Sequence, residues 1–146
     1  MLHRKKSKLY TFLFLAALTL LSAFSTTAQQ KDAAKPRTFK MGEYTMKQYY
    51  FVMLIKGPRR DEVKDTAAIN RLQEGHMANM DRMAKMGKLM TAGPFGDDGN
   101  WRGIFILDCE TEQEAKDLLA TDPMIKAGRL AYEMHPWWTA MNAVFK

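Results

Sequence analysis

The segment Gln48 to Lys56 (QYYFVMLIK) is dense in aromatic and β-branched residues and stops at Gly57-Pro58, the pattern of a strand. Tyr49, Phe51, Met53 and Ile55 alternate with Tyr50, Val52 and Leu54. Both faces are therefore apolar, and such a strand has to be covered on both sides. Residues 66–87 change period. At about 100° per residue, Ile69, Leu72, His76, Met80, Met83 and Gly87 fall on one helical stripe. Asn70, Arg71, Glu74, Asp81, Arg82 and Lys85 fall opposite. His76 sits at the centre of the apolar stripe, not at its edge.

Lys88 to Phe95 (KLMTAGPF) predicts a short strand closed by Gly93-Pro94, and Gly96 to Asn100 a turn. Trp101 to Cys109 (WRGIFILDC) returns as the second arm of a hairpin. Thr111-Glu112-Gln113-Glu114 matches a capping box and opens a second helix that turns Ala115, Leu118 and Leu119 inward. Asp122-Pro123 starts a short turn or helix ending at Gly128, and Leu130 to Trp138 is the last strand. The order β-α-β-β-α-β is a split βαβ pattern: a four-stranded antiparallel sheet with both helices on one face. One apolar row of strand 48–56 then lacks a helical cover. Pairing of two copies through that face buries it, so a homodimer is expected; tails folded over a monomeric sheet are the alternative.

The N-terminus has its own pattern. Arg4, Lys5, Lys6 and Lys8 precede an apolar run from about Leu9 to Phe24, and small residues follow up to Ala28, with Thr26 at the −3 place. Residues 1–28 are read as a cleavable signal peptide. The apolar run is short for a membrane span of about 20 residues, and no Cys follows it to carry a lipid. The mature protein is thus expected to be secreted or periplasmic, touching a membrane only through the signal peptide before cleavage. Residues 29–46 read as a flexible leader and 47–146 as the folded domain.

Charge changes meaning once this segment is set apart. The whole chain of 146 residues carries 22 Lys and Arg against 16 Asp and Glu, a formal +6. Without residues 1–28 the balance is 18 to 16, leaving no basic face for nucleic acid. A hydrophobic fraction of 47% suits one globular domain. The lone Cys109 excludes an internal disulfide and a Cys-based zinc site.

Few residues carry candidate chemistry. An imidazole on a core-facing stripe needs partners for its nitrogens, and it titrates near neutrality, where proton transfer is useful. His76 is either a core histidine bonded to a backbone carbonyl or an acid–base group. Asp122 before Pro123 is a standard helix start. In the last strand the period of two puts Ala131, Glu133, His135 and Trp137 on one face. His76, His135 and a carboxylate would suit a metal, but no ligand motif supports one and no metal is expected. Gly93 and Pro94 either end a strand or edge a pocket with their backbone groups. Trp101, Trp137 and Trp138 are core or dimer contacts, or aromatic walls for a planar ligand. Met77, Met80, Met83, Met86 and Met90 read as core filler. No base lies beside Cys109 to activate it.

His76, the run Leu89-Met90-Thr91-Ala92-Gly93-Pro94-Phe95, and Asp122-Pro123 followed by Ala127-Gly128, taken with the element order, resemble the YCII-related (YciI-like) domain family over about Tyr49 to Pro136. The resemblance implies a ferredoxin-like fold assembled as a dimeric α+β barrel. It also implies an active-site pair of a first-helix His and an Asp before Pro, which map to His76 and Asp122. In that reading Asp122 accepts a hydrogen bond from one ring nitrogen, fixes the tautomer and favours the protonated ring. Some family members remove chloride from chlorinated aromatic or lactone intermediates. The function implied is cofactor-free acid–base chemistry, isomerisation or elimination, on a small cyclic carbonyl or aromatic-derived compound. Gly93, Pro94, His135 and Trp137 would contact that ligand. A non-catalytic ligand-binding or stress-related module on the same fold is the alternative. Haem binding through His76 fits least, because haem-binding relatives of the fold are larger. The export signal, the Met-rich first helix and Trp137-Trp138 depart from the usual member.

Overall fold

A computed structural model gives the structure of the chain and describes residues 36–141 and residue 143. The signal-peptide reading of residues 1–28 and the first part of the leader fall outside the described residues. Among the described residues eight elements follow in order. These are β1 (Thr38–Met41), β2 (Tyr44–Lys56), α1 (Thr66–Lys85), β3 (Leu89–Pro94), β4 (Trp101–Leu107), α2 (Glu112–Leu119), α3 (Pro123–Lys126) and β5 (Leu130–Ala140). Among the described residues no helix is long and apolar enough to cross a membrane.

The fold is α+β, with an antiparallel sheet built around β2. One edge of β2 pairs with β5 along Met46 to Lys56. Its other edge pairs with β4 along Tyr50 to Ile55 and with β1 along Tyr44 to Lys47. β3 completes the sheet outside β4. The four long-range strands lie in the order β5-β2-β4-β3, the ferredoxin-like arrangement that the element order predicts. β1 is a fifth strand, which the sequence reading placed inside a flexible leader. It forms a hairpin with β2 through a two-residue turn at Gly42-Glu43. Ion pairs from Arg37 and Lys47 to Asp108, beyond β4, anchor it, and Arg37 Nη1 also reaches Glu110 at 2.6 Å.

Among the described residues, one face of the sheet carries all the helices and the other carries none. Tyr50, Val52, Leu54, Phe105, Leu107 and Leu130 pack there against Met83 of α1, Ala115, Leu118 and Leu119 of α2, and Met124 of α3. Tyr49, Phe51, Met53 and Ile55 take the opposite, helix-free face and are only half-buried. Helix α1 starts at Asp65, whose carboxylate accepts from the N–H groups of Ala67 and Ala68. It ends two residues earlier than the stripe suggests. Gly87 adopts φ +68°, a left-handed turn that stops the helix, and the Lys88 N–H returns to the Met83 carbonyl at 2.9 Å. The capping box of α2 is half as expected. Thr111 Oγ1 accepts from Glu114 N–H at 3.1 Å, but the Glu114 carboxylate reaches past the cap to Glu110 N–H at 2.7 Å.

Candidate active site

Helix α1 turns His76 toward the sheet, where the ring stacks on Phe105 of β4 with centroids 5.9 Å apart and planes 23° from parallel. Both rings are nearly sealed from solvent. Asp122 precedes Pro123 at the start of α3 and is fully buried. Its two oxygens do different work. Oδ1 accepts from the N–H of Met124 at 2.8 Å and of Ile125 at 3.4 Å, which caps the short helix. Oδ2 lies 2.6 Å from His76 Nδ1. The capping and pairing readings of Asp122 are thus both realised, one per oxygen.

A carboxylate accepts only, so Nδ1 of His76 carries the proton that Asp122 receives. That fixes the tautomer: in the neutral form of the ring the lone pair is on Nε2. Burial pushes the Asp122 carboxyl up. The hydrogen bond and charge of His76, with the two backbone N–H groups, outweigh that push and hold it below the usual carboxylate value. Asp122 is thereby an anion at neutral pH, buried beside one ring. A small network fixes the segment that carries it. Arg82 Nη2 donates to Asn79 Oδ1 at 2.8 Å and to Thr121 Oγ1 at 2.7 Å, and Thr121 Oγ1 donates to Leu118 O at 2.6 Å.

His76 forms part of the wall of a cavity of about 400 Å³, the size of a small-molecule site. Gly93 and Pro94, which end β3, line it together with Phe105, Met80 and Met124. Three lining residues gave no sign in the sequence pattern: Met77, Arg60 and Arg102. Met77 is 51% exposed and walls the cavity instead of filling the core, and Met86 and Met90 are likewise exposed. Arg60 lies in the segment after β2 and is held there by Arg129, whose Nη1 donates to the carbonyls of Arg60 at 2.6 Å and Val63 at 3.0 Å. Burial, then the nearby charges of Arg102 and Arg129, press the Arg60 guanidinium below its ordinary value. It stays cationic near neutrality.

His135 and Trp137 are not part of this site. Their register partners are Phe51 and Tyr49, on the helix-free face, while His76 lies on the helical face. Leu130, Tyr132 and Met134 are the β5 residues that turn toward the core. The grouping of residues 131, 133, 135 and 137 on one face is right, but that face is the far side of the sheet. A metal set of His76, His135 and a carboxylate therefore cannot close within one chain. Among the described residues no three His, Cys, Asp or Glu side chains converge. Trp137 instead packs edge-on against Phe51 at 6.5 Å, and Trp138 against Phe39 at 5.0 Å.

The structure thus defines a small α+β protein with a ferredoxin-like sheet, in which a buried imidazole–carboxylate pair lies beside a cavity. The chain matches the YCII-related domain over residues 50–138 and belongs to that family. No curated protein matches it. Among solved structures it is similar to the 5-chloro-2-hydroxyhydroquinone dehydrochlorinase TftG from Burkholderia phenoliruptrix AC1100, determined in complex with 2,5-dihydroxybenzoquinone. The identity is 21%, over 60% of this chain and 92% of that one, with a TM-score of 0.43.

Proposed function

We propose that this chain is a small exported enzyme that uses His76 as a general acid–base on a small cyclic carbonyl compound, with Asp122 as its positioning partner. The observation that carries the reading is the 2.6 Å contact of Nδ1 with Asp122, in a ring that also walls the cavity. Nε2 takes a proton from the carbon next to a carbonyl, and an enolate forms. The imidazolium, stabilised by Asp122, then returns the proton to another carbon, giving an isomer. Alternatively the enolate expels a leaving group with its electron pair from the adjacent carbon, a carbon–carbon double bond forms, and the imidazolium passes its proton to the leaving group or to water. Proton transfer of this kind contributes about 100–10,000-fold, which suits an activated substrate. His76, Asp122 and the cavity need no cofactor for these steps.

The reading includes export and a homodimer. The basic and apolar pattern of residues 1–28 supports export. N-terminal sequencing of the exported protein should begin near Gln29, and a chain beginning at Met1 would overturn that part. The half-buried apolar row on the helix-free face supports pairing of two copies.

The acid–base reading is tested with a panel of cyclic ketones, lactones and phenolic compounds in D₂O. Exchange of the α-protons is followed by NMR for wild type and His76→Ala. Exchange above the solution rate that vanishes in His76→Ala is the expected result. Binding without exchange in either protein would favour the non-catalytic ligand-binding module instead.

A further inference from the structure

The cavity wall is electrically one-sided. Arg60, Arg102 and His76 line it, while no Asp or Glu does among the described residues. Asp122 is fully buried and faces Nδ1 of His76. The carboxylate nearest Arg102 is Asp98, 3.8 Å from Nη1 and fully exposed. Each guanidinium uses Nη1 on backbone carbonyls: Arg60 on Arg129 at 3.4 Å, and Arg102 on Asp97 at 3.1 Å and Gly99 at 3.3 Å. Nε and Nη2 of both make no protein hydrogen bond among the described residues. Both line the one cavity and are half-buried, and the charge of Arg102 weighs on Arg60. Two half-buried cations on one wall repel, and a structure that needed only packing there would not gather them. An anion between them relieves the repulsion and receives paired N–H donors in the fork geometry that suits a carboxylate.

We infer that the cavity takes a small organic carboxylate, its anionic group held by Arg60 and Arg102 and its ring lying along Met77, Met80 and Met124 toward His76. This rests on the acid–base reading only for what His76 then does; the binding stands on the two arginines. The carboxylate fixes one end of the ligand, so that a carbon along the ring meets Nε2. The methionines supply an adaptable apolar wall, which accepts rings of differing substitution.

The test is calorimetric binding of benzoate and of the uncharged, near-isosteric benzamide to the purified protein. Benzoate should bind about tenfold more tightly than benzamide or better, since a charged hydrogen-bond partner is gained. Arg60→Gln should lower benzoate affinity by about tenfold and leave benzamide unchanged. Arg102→Gln should lower benzoate affinity likewise; because it also removes bonds that hold the β3–β4 turn, Arg102→Lys accompanies it and should bind benzoate more tightly than Arg102→Gln but less tightly than wild type, the charge being kept and the fork lost. Equal affinity for the two probes, no benzoate binding at all, or an unchanged affinity in Arg60→Gln would overturn the inference. The two readings fail separately. Arginine-dependent benzoate binding with no α-proton exchange on any panel compound removes the enzyme and leaves the anion site. His76-dependent exchange on neutral ketones with no preference for benzoate removes the anion site and leaves the enzyme.

Discussion

Gly75 of α1 and Pro123 of α3 meet so closely that a Cβ on Gly75 would lie 2.9 Å from Pro123 Cγ. Their chain neighbours are His76 and Asp122, so this contact sets the separation of the pair. The proline ring is rigid and cannot swing aside. Gly75→Val should therefore push α1 away from α3, and overpacking of this kind costs about 1–3 kcal/mol. Urea unfolding measures that loss. The diagnostic change lies in the pair itself: the downfield NMR resonance of the His76 Nδ1 proton should weaken or vanish. A variant that loses stability but keeps that resonance would show that Gly75 does not govern the pair.

Asp122 offers a prediction with a definite sign in pH. Its native pKa lies below the usual carboxylate value, so the folded state binds its proton less readily than the unfolded state. The stabilisation is complete above the unfolded value of about 3.9 and is lost as pH falls through the lower native value. Asp122→Asn keeps an oxygen for the helix cap and removes the charge. The part of the stability gap between wild type and Asp122→Asn that comes from this carboxylate should close as pH falls below about 4, through the native value. Thermal melts of both proteins across this range measure it. His76→Leu should also destabilise, by about 1–3 kcal/mol, because it strands Oδ2 of Asp122 in a buried place. A leucine is the natural occupant of an apolar stripe, but here the Asp122 carboxylate lies behind the ring.

The helical period of α1 was enough to aim His76 inward, since Leu72, Met80 and Met83 on the same stripe all pack on the core. Asp122-Pro123 was legible as a helix start because capping is local chemistry, written in adjacent residues. What the sequence hides is set by register. Both rows of β5 contain large or aromatic side chains, so alternation alone does not say which row faces the helices. Pairing of Val52 with Met134 and of Phe51 with His135 decides it, and puts His135 and Trp137 behind the sheet. Arg102 is hidden for a similar reason. The β2–β4 register shifts between Leu54 and Ile55, so Ile55 pairs with Trp101 and Leu54 with Gly103, leaving Arg102 as the extra residue of a bulge. β1 escaped notice because it is only four residues long, so Phe39 and Met41 alternating with Thr38 and Lys40 make too short a row to stand out in a polar segment.

Cys109 should be inert. It is fully buried at the end of β4, and burial pushes its thiol up to about 11. The charge of Glu114 adds to that, and Lys88 only partly offsets it. A thiol reagent applied to the folded protein near pH 8 should label it no faster than the chain opens, and fully in denaturant. Rapid labelling of the native protein would contradict the sealed position.

The helix-free face supplies the last prediction. Phe51, Met53 and Ile55 of β2 lie there beside Ile104 of β4, and Trp137 of β5 is 41% exposed. Apolar side chains contiguous across several strands mark an interaction surface, and a second copy offers the same row in return. Light scattering at micromolar concentration should give twice the monomer mass. The disruptive substitution follows from register. Met53 pairs with Glu133 on β5, so Met53→Glu would set two like charges side by side and weaken the sheet itself. Met53→Lys instead gives Glu133 an opposite charge across the strand, a pair worth about 0.2–1 kcal/mol, so the monomer should fold. In the paired state the same lysine would be carried into an apolar interface, where an uncompensated charge is not tolerated. Met53→Lys should therefore melt within about 1 kcal/mol of a folded monomer and scatter as one. A wild-type protein that is already monomeric, or a Met53→Lys variant that stays dimeric, would remove this face as the interface.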